Sequence, residues 1–174
     1  MHKLFLQVWE LSNSQKQAII TPIEKKAKDK RLIKNWRPIS LINVDAKIIS
    51  KVLANRLENV LPKLIHPNQN AFVKGRSIFD AVRTIDDIFD YTKRNSWSGM
   101  LVAVDFEKAF DTLDFQFLLR TLHKFNFAPS FIQWIRVLCK NTSSCVMNNG
   151  FMTGLFPLGR GVRQGDPLSP NRRT

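Results

Sequence analysis

The sequence predicts an α+β domain in which helices pack on a small mixed or antiparallel sheet. Short β-branched apolar segments lie near both ends of the chain, and segments with helical spacing of apolar residues lie between them. With 174 residues, 44% of them hydrophobic and 24% charged, the chain can bury a core. It has no apolar run long enough to span a membrane and no signal-peptide pattern. We therefore expect an intracellular protein of the nucleus or cytoplasm that is not secreted.

The first predicted elements are two strands that form a hairpin. Residues 17–23 (QAIITPI) and 36–42 (WRPISLI) are short, apolar and rich in β-branched side chains. Pro22 and Pro38 confine these strands to sheet edges or strand ends, because proline cannot donate a ladder hydrogen bond. The intervening run EKKAKDKRLIKNWR holds seven basic residues against two acidic ones. The hairpin is therefore expected to carry a basic tip.

Four helices are predicted from apolar periodicity. Asp45 is expected to cap the first, whose apolar positions continue to Leu64. The second is expected over residues 77–91, and two more over 115–126 and 129–140. These helices supply the layer that covers the sheet.

Residues 100–106 (MLVAVDF) form a continuous apolar run that predicts a strand buried on both faces. Two further short strands are expected around an Asn-Asn-Gly turn at 148–150. Asp105 would lie at the carboxyl end of the buried strand, where open sheets commonly bind ligands and where a carboxylate can hold a divalent cation. From this residue alone, a helix cap or a hydrogen-bonded strand-end aspartate is the preferred interpretation.

The formal net charge of +13 favours a polyanionic partner, and nucleic acid before a membrane. Excess lysine that only keeps the protein soluble is the alternative. The distribution of charge argues against it, because residues 77–114 hold eight of the fourteen acidic residues against four basic ones. A basic region and an acidic centre are expected where phosphates gather around bound metal ions.

Several motifs in one collinear order resemble the reverse transcriptases of LINE-type (non-LTR) retrotransposons. DFEKAFD at 105–111 is similar to the first catalytic motif of that family, and GVRQGDPLSP at 161–170 to the motif with a Gln-Gly pair. The segments NWRPISLINVDAKIISKVLANRL, NQNAFVKGR and SCVMNNG match as well. The resemblance covers approximately residues 16–170 and implies a fingers region followed by a palm.

The resemblance implies RNA-templated DNA synthesis, in which a primer 3′-hydroxyl attacks the α-phosphorus of a deoxynucleoside triphosphate and pyrophosphate leaves. Two metal ions, taken to be Mg²⁺, would stabilise the attacking and leaving oxygens. Asp105 would be the catalytic carboxylate and a metal ligand. The backbone oxygen of Phe106 would be a second metal contact.

Four residues are expected at the nucleotide by resemblance. Arg37 would grip the triphosphate, which suits its forked guanidinium. Phe110 would exclude a ribose hydroxyl sterically, and Gln164 and Gly165 would lie beside the nascent base pair. Without the resemblance, Arg37 could be a solvated arginine, Phe110 a core aromatic, and the Gln-Gly pair an ordinary turn.

Five basic residues are expected to bind nucleic acid. Lys26 and Lys30 lie on the basic hairpin tip, and the sequence does not choose between them. Lys74 and Arg76 in VKGR, and Arg163 near the Gln-Gly pair, would contact backbone phosphates, which contributes affinity without reading sequence. The partners implied are an RNA template, a DNA primer and a deoxynucleotide, with no membrane and no obligate protein partner.

The family's second catalytic motif, an aromatic-x-Asp-Asp hairpin, does not occur in the sequence, and neither does a thumb. We therefore expect a single partial domain, 1–174, with fingers and an early palm helix over 16–95, an incomplete palm over 96–170, and no polymerase activity alone. The alternative is a non-catalytic basic module that keeps the fold for RNA or DNA binding.

Overall fold

The structure is a computed structural model that describes residues 10–106 and 108–169, except for the side chain of Phe110. These residues form two compact units. The first comprises residues 10–54 and 108–169, and the second comprises residues 55–106. Neither boundary coincides with the expected division near residue 95, which stays a prediction.

In the described chain, a short helix precedes the two hairpin strands, a run of helices follows, and three short strands come last. The helices are α1 (Asn13–Lys16), α2 (Val44–Glu58), α3 (Leu61–Leu64), α4 (Ile78–Arg94), α5 (Ala109–Thr112), α6 (Phe115–Lys124) and α7 (Pro129–Cys139), with a 3₁₀ turn at Ile33–Asn35. The strands are β1 (Gln17–Glu24), β2 (Trp36–Ile42), β3 (Ser143–Asn148), β4 (Phe151–Met152) and β5 (Phe156–Pro157). The predicted α+β class with a small mixed sheet is confirmed.

The predicted hairpin is present as antiparallel strands β1 and β2. The sheet order is β2-β1-β3-β4, with β5 also paired to β3. Strand β3 runs parallel to β1 but reaches only as far as Ile20, so Pro22 needs no partner on that side. Pro22 faces Pro38 across the hairpin, where β2 is an edge strand. The expected placement of both prolines is therefore confirmed.

The core of the first unit lies between α2, α6 and α7. Its fully buried members share one cluster: Leu53, Leu119, Leu122, Ile132 and Ile135. A smaller cluster joins the sheet to the same helix through Ala18, Ile42 and Ala46. Both clusters follow the helical and alternating periodicities that predicted these elements, so α2 holds the hairpin against the helical layer.

The first long helix begins and ends differently from the prediction. Asn43, not Asp45, caps α2, because the Asn43 side-chain oxygen accepts a hydrogen bond from the Asp45 N–H at 2.9 Å. The helix ends at Glu58, and Pro62 lies at the start of the separate turn α3. Proline lacks the N–H that would continue the ladder, which explains the break.

The predicted strand at residues 100–106 is wrong. The segment has no regular secondary structure, and all seven residues are exposed, Val104 by 77% and Phe106 by 80%. A strand exists only when its backbone pairs with another, and no described strand pairs with this segment. The apolar composition predicted burial, but it does not show whether a neighbouring strand is available for pairing.

The second unit is otherwise built on α4. The Ser77 hydroxyl caps this helix by accepting from the Phe79 N–H at 3.2 Å, and the helix runs three residues beyond its predicted end. None of its residues is buried. Its apolar side chains, among them Phe79, Val82 and Ile88, are exposed.

The C-terminal strands agree with the prediction. Asn149 and Gly150 have φ angles of 50° and 81° and connect β3 to β4 in a two-residue turn. Positive φ at both positions matches the twist of the strands, which explains the Asn-Gly sequence.

Candidate nucleotide and nucleic-acid site

A cavity of about 190 Å³ lies in the first unit between the β1–β2 hairpin and residues 158–164. The hairpin contributes Ile20, Pro38 and Ser40 to its wall, and α5 contributes Asp111. Loop residues 158 and 160–164 close the opposite side and bring two arginines and Gln164. The cavity lining is therefore mainly apolar, and it includes a few residues with polar side chains.

Gln164 and Gly165 dock on the edge strand β2. The Ser40 N–H donates to the Gln164 carbonyl at 2.8 Å, which satisfies an outward-facing donor of the sheet edge. Gly165 has φ 107°, and a Cβ there would lie 3.1 Å from the Ser40 carbonyl oxygen. Both the conformation and the close approach require glycine.

Arg37 lies on the opposite strand face from Pro38 and Ser40, because side chains alternate along β2. Its side chain is exposed and makes no hydrogen bond or ion pair with any described residue. Ile39 shares its face, and its Cγ2 lies 3.9 Å from the Cβ position of Gly165. The structure therefore brings Arg37 and Gly165 to one side of the edge strand, while Gln164 also lines the cavity.

Helix α5 is held against the same loop. The Gly161 N–H donates to the Leu113 carbonyl at 2.8 Å, and Asp114 forms a β-bridge with Arg160. Gly161 has φ 85°, and a Cβ would lie 2.8 Å from the Asp111 carbonyl oxygen. This packing places the backbone of Phe110 beside the cavity wall, while its side chain lies outside the described part of the structure.

Arg163 faces the interior of the first unit. Its guanidinium donates to the Lys16 carbonyl at 2.6 Å. Burial lowers the pKa of Arg163, and the charge of Asp166 opposes that shift. The pKa of the nearby Cys139 thiol is raised to about 11, first by burial and then by Asp166. This geometry favours a structural role for Arg163, in which it holds the loop, rather than the predicted contact with a phosphate.

The hairpin tip is basic and exposed. Lys30 forms an ion pair with Glu24 at 2.6 Å, whereas Lys26 is exposed and has no partner among the described residues. The Lys25 ammonium instead donates to the Lys34 carbonyl. Lys26 is therefore the freer of the two predicted tip lysines.

Lys74 and Arg76 take different positions in the second unit. Lys74 is exposed at a turn closed by the Arg76 N–H and the Val73 carbonyl, with Gly75 at φ 79°. The Arg76 guanidinium donates four hydrogen bonds to backbone carbonyls of the preceding loop, those of Pro62, Ile65, His66 and Gln69. The geometry favours Lys74 for a phosphate contact and a structural role for Arg76.

Asp105 and Phe106 are exposed in the irregular segment of the second unit. No group of three or more His, Cys, Asp or Glu side chains within the described residues could hold a metal ion. The Asp105 carboxylate and the Phe106 carbonyl could therefore supply only part of the ligands of a divalent ion. Substrate phosphates would have to supply others. Their position beside the cavity stays a prediction.

Comparisons with known proteins agree with this arrangement. Residues 23–172 match the family model described as reverse transcriptase (RNA-dependent DNA polymerase). The chain belongs to the reverse transcriptase family. Proteins of this family bind nucleic acid and nucleotides and use divalent metal ions. The matched residues include β2, the loop that closes the cavity and the irregular segment with Asp105.

Two relatives come from retrotransposable elements. The chain is 42% identical, over 92% of its length, to the transposon TX1 uncharacterized 149 kDa protein of Xenopus laevis. It is 28% identical, over 78% of its length, to the Pol polyprotein of the type-1 retrotransposable element R2 of Popillia japonica. The chain spans 12% and 19% of these two relatives. The predicted LINE-type resemblance is confirmed.

The described residues contain no helix that is both long and apolar enough to cross a membrane. The motifs identified Gln164 and Gly165, but the sequence interpretation gave Ser40, Asp111 and Arg160 no role in a binding site. Asp111 is the last residue of the DFEKAFD motif and Arg160 directly precedes GVRQGDPLSP, so the motifs themselves are the signal that could have identified them.

Proposed function

We propose that this chain supplies the nucleotide- and template-binding part of an RNA-dependent DNA polymerase of a non-LTR retrotransposon. The docking of the Gln164–Gly165 turn on edge strand β2, beside the cavity, carries this proposal. A turn fixed to a rigid strand can present an amide and a bare backbone to a base pair at a constant distance.

Two nucleotide contacts come from the hairpin and α5. Arg37 binds the triphosphate, since its guanidinium is exposed and uncommitted on the face that Gly165 approaches. Phe110 excludes the ribose 2′-hydroxyl from its place on α5. The role of Arg37 rests on the motif resemblance and on its exposed side chain. The role of Phe110 rests on the resemblance and on the position of α5, whose Asp111 lines the cavity.

Asp105 is the catalytic carboxylate of the proposal. It and the Phe106 carbonyl would hold Mg²⁺, which supplies charge stabilisation at the reacting phosphate when bound. Other carboxylates are needed for a metal pair, and the described residues form no such cluster. The chain alone is therefore expected to bind nucleic acid without extending a primer.

Template and primer are held mainly by exposed lysines. Lys26, Lys30 and Lys74 contact backbone phosphates, whereas Arg76 and Arg163 act indirectly through the loops that they hold. Each phosphate contact releases condensed counterions, so affinity should fall steeply with salt.

Binding of a fluorescent RNA–DNA primer–template, measured by anisotropy across a salt series, tests this function. Lys26→Ala and Lys74→Ala should each weaken binding and reduce the salt slope by about 1. Lys124→Ala, which removes an exposed lysine at the end of α6, is the matched control and should change neither. Salt-independent binding, or equal effects of all three substitutions, would contradict the proposal.

A primer-extension assay with Mg²⁺ completes the test. We expect no added nucleotides from the purified chain. Extension would show that the chain holds a complete catalytic site and would overturn the expectation of inactivity.

A further inference from the structure

We propose that Ser50 and Asp166 form a positioning pair that fixes the Gln164–Gly165 turn for base-pair recognition. This inference rests on the proposed function and assigns a role to two residues outside the predicted site. Neither residue is placed in contact with substrate. They act through the turn that they hold.

Ser50 anchors the pair within the core. It lies on α2, is 0% exposed, and donates its hydroxyl to Asp166 Oδ1 at 2.5 Å. The two residues are separated by 116 positions in the chain. Hydrogen bonds with an ionised partner are shorter and stronger than neutral ones, so this contact ties the loop firmly to α2.

Asp166 organises the chain on both sides of itself. Its Oδ1 also accepts from the Leu168 N–H at 2.9 Å. Its backbone N–H donates to the Arg163 carbonyl at 3.1 Å, which closes the turn that contains Gln164 and Gly165. The Ser169 hydroxyl donates to the same Arg163 carbonyl at 2.9 Å. One carboxylate thus fixes the closing residue of the turn.

The opposite side of the turn is fixed by the sheet through the hydrogen bond from Ser40 to Gln164. The turn is therefore held between β2 and α2, which are both elements of the first unit. Removal of the Ser50 hydroxyl would leave the part-buried Asp166 carboxylate without one of its hydrogen-bond donors. The turn would then detach from α2, and the single remaining hydrogen bond from Ser40 to Gln164 would open more often.

Hydrogen exchange on the whole chain tests the structural half of this inference. Ser50→Ala should accelerate exchange of the Leu168 and Ser40 amides by about tenfold or more. Asp166→Asn keeps an Oδ1 acceptor of the same size, and so should retain protection within about threefold of the wild type. Ser130→Ala, at an exposed position of α7, is the matched control and should leave both amides unchanged. Unchanged exchange in Ser50→Ala would overturn the inference.

A fluorescent base analogue at the templating position tests the functional half. Binding of the wild type should change its fluorescence, and Ser50→Ala should lose at least half of that change while affinity stays within about twofold. Asp166→Asn, as a separate variant, should retain most of the wild-type fluorescence change. A network that is only structural would alter exchange and leave the fluorescence change intact, and that result would overturn the inference.

The two proposals fail in different ways. Absence of salt-dependent binding by the wild type would refute the proposed function, and the role of the pair in base recognition would fall with it. The exchange measurements would still decide whether Ser50 and Asp166 hold the turn. Wild-type binding with an unchanged signal in Ser50→Ala would refute the positioning role alone.

Discussion

Replacement of Arg76 should loosen the loop that precedes α4. Its two terminal nitrogens donate to four backbone carbonyls, at 2.6, 2.8, 2.8 and 3.0 Å. A net contribution of about 1.5–3 kcal/mol for each bond to a charged group would give ~6 kcal/mol or more. Three of the four bonds are exposed, so water can replace the donor there. We therefore expect Arg76→Ala to reduce the free energy of loop opening by about 3 kcal/mol.

Native-state hydrogen exchange measures this loss directly. The Ile65 and Gln69 amides, which donate to Leu61 and His66 carbonyls, should exchange about a hundredfold faster in Arg76→Ala. Arg76→Lys should recover less than half of the protection, because one ammonium cannot reach carbonyls that the guanidinium fork spans.

Lys74→Ala separates this structural role from nucleic-acid binding. It removes a nearby exposed cation and should leave loop exchange unchanged while weakening RNA affinity. Arg76→Ala with exchange within twofold of the wild type, but with weakened RNA affinity, would refute the structural assignment and restore the direct template contact for Arg76.

Other substitutions test the site and the packing around it. Gly161→Ala should reduce the free energy of unfolding by about 2 kcal/mol in urea titrations, because Gly161 has a positive φ and a Cβ there would contact the Asp111 carbonyl of α5. A Cβ at Gly159 would meet open space, so the control Gly159→Ala should change the free energy of unfolding by less than about 0.5 kcal/mol. The raised pKa of Cys139 keeps its thiol neutral in the folded state, so this residue should contribute stability below pH 9.0 that is lost by about pH 11. Cys139→Ala should flatten that decline in urea titrations at pH 8 and pH 10.5. Phe110→Val in a complete polymerase should raise ribonucleotide incorporation, and unchanged deoxy/ribo selectivity in single-nucleotide extension would retire its role. Val104→Lys should raise solubility and reduce binding of an apolar dye, because the Val104 side chain is 77% exposed. Equal dye binding by the wild type and Val104→Lys would contradict this prediction.

The hairpin and the helical layer could be predicted because their signals are local. Strands β1 and β2 combine β-branched residues with a turn-rich polar connection, and α2, α6 and α7 carry apolar residues at helical spacing. Their ends were less predictable. Asn43 and Asp45 are both good capping residues, and only the backbone geometry decides that Asn43 caps α2.

The site was predictable where motifs recorded it and not where tertiary contacts create it. Gln164 and Gly165 were identified by resemblance, and their docking on β2 explains why a glycine follows the glutamine. Ser50 gave no chemical signal by itself. It does share the buried stripe of α2 with Ala46, Leu53 and Ala54, and a small polar residue in such a stripe indicates a buried hydrogen-bond partner.

The failed strand shows which information an apolar pattern lacks. Residues 101–105 have the composition of a strand buried on two faces, yet a buried strand must pair with a neighbouring strand, and no described strand pairs with this segment. The apolar side of α4 is similarly exposed, although its amphipathic sequence is that of a packed helix. In both segments, the apolar pattern is therefore not matched by burial within the described residues of the second unit. The first unit differs because its hairpin, helices and Gln-Gly turn satisfy one another. Its cavity should accordingly keep its shape under conditions that open the second unit, and the Gln-Gly turn can be studied independently of Asp105.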